Sequence, residues 1–432
     1  MPPDATPAPD PTEGQSNRGL FFRVFPSICL PMFLAAVDQT IVATALPAIA
    51  GTLGDVERVS WVVVSYLMAT TIAAPVYGRL GDALGRKRLL FVALAVFIGA
   101  SVACALAPTL LWLTAARVVQ GFGGGGLMTL SQALVGETVP PRERGRYQGY
   151  LASIFMASST FGPVAGGWLT QQFGWQSVFL INVPLGLIAT VLAFRLPDRV
   201  PVESRVRFDW LGLLLFSGFV VPLLLALERG QRISMAAVPV VAGLVAVAAA
   251  SLWLLLRQER RTTQPLIPVN LLRMPAIWRA DAMGACVGAT IVSSVTFMPI
   301  YLQVVRGADP GTVGLLLLPL TAGIAVGALF TGRAIARTGR TAVFPSFGLV
   351  SVTACLVFLA AGAASVPTAW LPWVFLLLSV SLGTTMPVVQ TTVQAVAGPK
   401  NLGAASASVQ FSRSIGAALG TALVGAVLFA VL

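Results

Sequence analysis

The feature that most constrains this 432-residue chain is a series of long apolar runs separated by short polar breaks. A helix needs roughly 20 consecutive apolar residues to cross the hydrocarbon core of a bilayer, and the runs are about that long. Strands of a membrane barrel are shorter and alternate in polarity, so the runs indicate helices. Hydrophobic residues make up 56% of the chain and charged residues only 10%. We therefore predict an all-α integral membrane protein.

The apolar runs predict about 13 transmembrane helices. Residues 1–22, ahead of the first span, are rich in proline and polar side chains, and we predict a disordered cytoplasmic tail there. The spans fall at about 24–50, 60–78, 89–107, 109–136, 146–170, 176–195, 209–228, 236–256, 278–303, 312–332, 342–363, 368–396 and 403–430.

The positive charges test this assignment, because cytoplasmic loops carry an excess of lysine and arginine. The N-terminus is predicted to be cytoplasmic, and we expect a multi-pass protein of the cell membrane, either the plasma membrane or a bacterial inner membrane. Of the 28 lysine and arginine residues, all but a few fall on one side of the membrane; the exceptions are Arg58, Arg229, Arg232 and Arg306 on the other side, and Arg117 and Arg413 within spans.

Composition excludes several other classes of function. The net charge of +12 does not indicate nucleic-acid binding, because the basic residues lie between apolar runs rather than on a soluble face. The chain has no histidine, which removes the usual zinc sites and histidine-based catalysis. The run Gly121–Gly126 formally fits a dinucleotide-binding pattern, but no strand precedes it, so these glycines indicate close helix packing instead. We expect no metal, no cofactor and no enzymatic activity.

An internal repeat indicates two related halves. The loop Gly78–Arg86, after the second span, matches Gly332–Arg340, after the tenth, in its glycines and arginines. Two six-helix halves related by an axis along the membrane normal produce such a repeat. The predicted domains are an N-terminal bundle of six spans (23–200), an inserted transmembrane helix pair (201–262) and a C-terminal bundle with five spans (263–432).

The C-terminal bundle lacks one span relative to the N-terminal bundle. A missing helix leaves apolar or cavity-facing surface of its neighbours uncovered. We therefore expect the chain to be a truncated version of a longer protein, or another subunit to supply that surface.

Four motifs carry a resemblance to a known family. They are Asp38–Pro47 in the first span; Gly78, Leu80, Asp82, Gly85, Arg86 and Lys87 in the following loop; Arg117, Gln120 and Gly121 in the fourth span; and Gly149, Gly162, Pro163, Gly166 and Gly167 in the fifth. In this order and on these spans, they resemble the major facilitator superfamily, and within it the drug:proton antiporters with fourteen spans. Val37, Ala43 and Ser158 depart from the family pattern.

The resemblance implies a secondary transporter whose two halves rock around a central cavity. It implies that the loop with Gly78, Asp82, Gly85 and Arg86 latches the halves in one conformation. It also implies that the element in the fifth span seals the pathway against leak. The alternatives from the residues themselves are a charged loop that only sets topology and a plain helix-packing surface.

Ionisable residues within the spans are functional candidates, since each costs several kcal/mol in the bilayer unless it is paired or hydrated. Asp38 is the candidate for proton coupling and Arg117 for its partner; a permanent ion pair that only fixes helix packing is the alternative. Asp38, Gln120, Asp281 and Arg413 are candidates for the substrate cavity.

The predicted function is proton-coupled efflux of hydrophobic small molecules, cationic ones among them. The alternative is a proton-coupled uptake symporter for a small metabolite. The expected partners are the lipid bilayer, a small-molecule substrate and protons, with no nucleic acid; the oligomeric state is left open.

The span list is tested by a topology reporter fused after Leu432. Thirteen spans that start from a cytoplasmic N-terminus place this reporter outside, where an impermeant reagent labels it in intact cells. Labelling only after permeabilisation would mean that the number of spans is wrong.

Overall fold

The computed structural model describes residues 11–55, 58–198, 208–230, 238–262, 265–266, 268–362 and 366–431. Within these ranges all regular secondary structure is helical. The predicted all-α fold is therefore confirmed.

The first half contains six helical segments that coincide with the six predicted spans. The sixth is divided between two consecutive helices, α6 and α7. The helices are α1 (Pro11–Leu53), α2 (Trp61–Leu84), α3 (Arg86–Ala105), α4 (Leu110–Thr138), α5 (Arg144–Phe173), α6 (Ser177–Leu180) and α7 (Asn182–Ala193).

Two helices follow before the second half: α8 (Trp210–Gly230) and α9 (Val238–Glu259). The predicted domain boundary at 200–201 lies outside the described residues. The boundary at 262–263 falls at the edge of a described range. The second half consists of α10 (Val269–Leu272), α11 (Pro275–Ile300), α12 (Pro310–Thr338), α13 (Val343–Gly362), α14 (Leu371–Gly383), α15 (Thr385–Ala397) and α16 (Leu402–Val431).

Each predicted span coincides with one helix or with two consecutive helices. Ten segments in the described ranges are long and apolar enough to cross a bilayer. The segment Ser177–Ala193 is apolar but shorter. Helices α4 and α5 have the length but are less apolar, because they carry several glycines and polar residues. Both pack among other helices, and most of their glycines lie against a neighbouring helix.

The start of α1 corrects one sequence prediction. Residues 11–22 were predicted to be disordered, but they form the first turns of α1 and continue directly into the span. Proline suits the first helical position, because its φ is already helical and its missing N–H group has no partner there. The rest of the predicted tail, residues 1–10, lies outside the described residues.

Glycines let the helices of the first half approach closely, as the sequence predicted for Gly121–Gly126. A Cβ atom at Gly123 would lie 2.8 Å from the backbone nitrogen of Phe97 in α3. A Cβ atom at Gly125 would lie 2.5 Å from the carbonyl oxygen of Thr70 in α2. Helix α4 is therefore held directly against the backbones of α2 and α3.

Helix α8 lies against both halves. Val76 of α2 packs in one buried cluster with Phe216 and Val220 of α8. The rings of Phe216 and Phe411, the latter on α16, are 5.2 Å apart between centroids. One helix of the inserted pair thus spans the junction between α2 and α16.

The close contact at Gly125 predicts that an added methyl group destabilises the protein there, but not at a glycine with open space around it. Gly125→Ala should lower the free energy of unfolding by about 1–3 kcal/mol, because the methyl group meets backbone that cannot move independently. Gly99 of α3 is the control, because nothing lies within 4 Å of its Cβ position. Thermal unfolding of the purified variants in detergent measures both effects. An equal melting temperature for Gly125→Ala and Gly99→Ala would contradict the close packing.

Candidate functional site

A buried ion pair lies in the middle of the first half. The guanidinium of Arg117 in α4 donates to the carboxylate of Asp38 in α1, and both side chains are fully buried. The amide groups of Gln120 and Asn182 donate to the same carboxylate over 2.9 and 2.7 Å. The structure thus brings together the two residues predicted for proton coupling, and it holds the carboxylate with three donors.

Arg117 also contacts α2. Its Nε donates to the carbonyl oxygen of Val62 over 3.0 Å, and its guanidinium carbon lies 4.1 Å from the centroid of the Tyr66 ring. The close approach of α4 to α2 makes these contacts possible: a Cβ atom at Gly121, one turn after Arg117, would lie 2.5 Å from the Tyr66 carbonyl oxygen. The glycine of the motif therefore positions its arginine.

Sequence analysis missed two members of this cluster. Asn182 is the first residue of α7 and bonds Asp38 directly, whereas the Ser101 hydroxyl in α3 accepts from the amide of Gln120 over 2.8 Å. Each is an isolated polar residue within an apolar span, which is a usable signal. Their partners could not be found without the helix arrangement. The complete cluster joins α1, α2, α3, α4 and α7.

A cavity of about 310 Å³ lies between the two halves. Its walls come from α1, α2, α5, α8, α11, α15 and α16, and most of its lining is apolar. A smaller cavity of about 50 Å³ adjoins it, and Phe155, Met386, Gln410 and Arg413 line both. The polar side chains of the larger cavity are Gln39, Thr70, Thr71, Glu228, Gln410, Arg413, Ser414 and Thr421.

The structure corrects the predicted cavity residues. Arg413 lines both cavities as predicted, but Asp38, Gln120 and Asp281 line neither. Asp38 and Gln120 face the interior of the first half, and Gln39 reaches the cavity instead, because successive residues of a helix point about 100° apart. Asp281 is buried on α11 beside Ser408 of α16, whose hydroxyl lies 3.4 Å from its carboxylate.

A polar contact joins the two halves at one face of the bundle. We define the basic face as the end that carries the turns at Gly85, 139–143, 339–342 and 398–401. The carboxylate of Asp82 at the end of α2 accepts from the backbone N–H groups of Gly403 (2.8 Å) and Ala404 (3.0 Å). These are free N–H groups in the first turn of α16, where the helix dipole also favours a negative charge.

The other residues of the predicted latch support this contact. Arg86 donates to both Asp82 and Glu137, and all three side chains are buried, so Glu137 belongs to the same charged cluster. Gly85 has φ of +97° and ends α2, as a turn glycine should. Gly78 was expected in a turn, but it lies inside α2. A Cβ atom there would lie 2.6 Å from the Gly403 carbonyl oxygen, so this glycine allows the halves to touch.

The glycines of the predicted antiporter element have three different surroundings. Gly149 of α5 faces α12, and its Cβ would lie 2.6 Å from the Ala328 carbonyl oxygen. Gly162, next to Pro163, packs against Thr40 of α1, and the Cβ of Gly166 would lie 2.5 Å from the Thr44 hydroxyl oxygen. Helix α5 therefore packs closely against the helix that carries Asp38.

Gly167 departs from the predicted packing role. Nothing lies within 4 Å of its Cβ position. By helical periodicity it lies on the same side of α5 as Gly149.

The two halves diverge away from the basic face. Near that face Gly149 contacts Ala328, and one turn later the Ser153 hydroxyl donates to the Ala325 carbonyl oxygen over 3.3 Å. Further along the same sides of α5 and α12, Val164 is 71% exposed and Leu318 is 48% exposed. The halves are thus in contact near the basic face and apart toward the opposite face, and we call the end of the cavity nearer that opposite face its wide end.

Comparisons with known proteins place this geometry in context. A sequence model of the Major Facilitator Superfamily matches residues 28–421. An uncharacterized MFS-type transporter of Mycobacterium tuberculosis is 34% identical over 93% of this chain, which spans 59% of that protein's length. The multidrug transporter protein MdtP of Bacillus subtilis is 28% identical over 96% of this chain and 76% of its own.

A solved structure shows the same fold. The crystal structure of the human organic anion transporter MFSD10 aligns with a TM-score of 0.67 at 17% identity, covering 94% of each chain. This likeness concerns the arrangement of helices alone.

The latch geometry predicts that Asp82→Asn shifts the balance between conformations without unfolding the chain. The variant loses the charge that the α16 N-terminus and Arg86 stabilise, which should favour separation at the basic face by about tenfold. Spin labels at Arg142 and Lys400, both exposed and on opposite halves at this face, should report a longer distance.

The control is Asp198→Asn, because that carboxylate lies near the same face but is 87% exposed. Its label distances should match those of the unsubstituted protein. Identical distances in the Asp82 variant would mean that the contact does not hold the halves together.

Proposed function

The chain belongs to the Major Facilitator Superfamily, and on that premise we propose that it exports hydrophobic small molecules in exchange for protons. The family consists of membrane transporters rather than enzymes. The observation that carries the proposal is the fully buried Asp38 carboxylate, held by Arg117 at the depth of the bilayer core. The names of relatives, among them a multidrug transporter and efflux pumps, support the outward direction.

In this proposal the basic face is cytoplasmic, as the distribution of lysine and arginine indicates. We assign the structure to the outward-open state, because α5 and α12 are in contact near the basic face and apart away from it. An exporter releases its substrate from this state and receives its proton there. The reverse movement opens the basic face and separates Asp82 from α16.

Proton coupling follows from what protonation does to the cluster. A proton on Asp38 removes the negative charge that compensates Arg117, so the guanidinium keeps only neutral partners, Val62 and Gln120. Arg117 must then be stabilised in another arrangement of α1, α2 and α4.

The cavity wall lies directly beside this cluster. Gln39 follows Asp38 on α1, and Val64 lies two residues after Val62 on α2; both line the cavity. A change in the ion pair therefore alters the helices that form the substrate site. This connection gives protonation and substrate binding a common structural element, which coupling requires.

Asp38→Asn should abolish proton-driven transport and leave folded protein in the membrane. Asparagine cannot carry the exchanged proton, but its amide oxygen still accepts from Gln120 or Asn182. The assay is accumulation of hydrophobic dyes by energised inverted membrane vesicles. Substrate exchange without a proton gradient should persist, because binding does not require the coupling group.

Asp55→Asn is the control, since this carboxylate lies in the partly exposed α1–α2 loop and pairs with Arg58. Normal energised transport by Asp38→Asn would remove Asp38 from coupling. Loss of folded protein would favour a purely structural ion pair. Dye accumulation in right-side-out vesicles instead would favour the uptake symporter.

A further inference from the structure

Arg413 of α16 faces the junction of the two cavities. Its Nη2 donates to the Gln410 amide oxygen over 2.7 Å, and its guanidinium lies 4.7 Å from the centroid of the Phe155 ring, on the other half. The ion pairs found in the described part of the chain do not include it. A guanidinium at this depth is costly unless it faces water or a partner, and here both of its contacts are uncharged.

The position of Arg413 is built into the helix packing. Gly288 of α11 lies directly against it, and a Cβ atom there would lie 3.0 Å from the Arg413 Cγ. The glycine therefore leaves room for the side-chain stem while the head reaches the cavity. Arginine suits a carboxylate or sulfonate, because its planar group donates two parallel hydrogen bonds.

Two further donors lie at the same end of the cavity. The amide nitrogens of Gln39, from the first half, and Gln410, from the second, lie 3.8 and 3.9 Å from the sulfur of Met128. A thioether is a weak acceptor, so an oxygen of a ligand competes with it easily. Arg413, Gln39 and Gln410 therefore form a group of hydrogen-bond donors that comes from both halves.

Carboxylates are placed differently. Asp38 and Asp281 were candidates for the substrate cavity, where a carboxylate would favour a cationic substrate. Neither lines the cavity. Glu228 lines it from the last turns of α8, together with Val64 and Thr421 near the wide end. The walls between the wide end and Arg413 are mainly apolar, including Leu224 and Ile291.

We propose that the cavity binds amphipathic organic anions, with the acidic group on Arg413 and the apolar body along the walls toward α8. This inference rests on the proposed transport function and specifies its substrate class. Contacts from α1, α5 and α16 to one anion would also make binding sensitive to the separation of the two halves.

The test uses three probes with one pyrene body: pyrenebutyrate, pyrenebutanol and (4-pyrenylbutyl)trimethylammonium. Binding to the full chain in phosphatidylcholine nanodiscs is followed by fluorescence anisotropy, with empty nanodiscs subtracted and no ion gradient. The anion should bind about tenfold more tightly than the alcohol, as expected for a charge-assisted contact. This ranking requires no variant and therefore no assumption about variant folding.

Variants then locate the effect. Arg413→Gln should weaken pyrenebutyrate about tenfold and leave pyrenebutanol unchanged, whereas Arg413→Lys should retain part of the preference. Arg279→Gln is the control, because this exposed arginine of α11 stacks on Trp278 outside the cavity. It should bind all three probes normally.

The proposal is overturned if the cation binds most tightly, if the three probes bind equally, or if folded Arg413→Gln keeps the anion preference. These outcomes are separate from those of the export test, because binding is measured without a gradient. Proton-driven export without anion preference would reject this inference alone. Anion binding without proton-driven export would reject the proposed function and leave the inference standing.

Discussion

Two full charges lie in the middle of a bundle that crosses a hydrocarbon core, and the arrangement of the first half follows from neutralising them. Asp38 and Arg117 come from different helices, so each can be buried only where the other is in reach. Neutral donors from Gln120 and Asn182 complete the shell of the carboxylate. One polar cluster connects five helices inside a mainly apolar core.

Two kinds of contact join the second half to this unit near the basic face. Glycines such as Gly78 and Gly149 bring backbones of opposite halves together, and Asp82 adds a charged contact to the first turn of α16. All of these lie toward the basic face. In the proposed transport cycle, separation at this face breaks these few specific contacts, and rigid-body motion leaves the packing within each half intact.

The placement of charge around the cavity separates two tasks. The Asp38 carboxylate, which we propose exchanges the proton, is enclosed within the first half, whereas the guanidinium that faces the cavity belongs to the second. A substrate and a proton need not compete for one group in this arrangement. They act on each other through α1 and α2, which carry both the polar cluster and part of the cavity wall.

The sequence by itself determined the fold class, the positions of the helical segments along the chain and the pairing of Asp38 with Arg117. Apolar length and the cost of unpaired charge in a bilayer depend on composition along the chain. Only the tertiary structure decided that Asp38 and Gln120 face away from the cavity, that Gly167 meets no neighbour, and that Ser101 and Asn182 complete the cluster. These features depend on the rotation of each helix about its own axis. That rotation is set by the joint packing of all its neighbours, which no single stretch of sequence records.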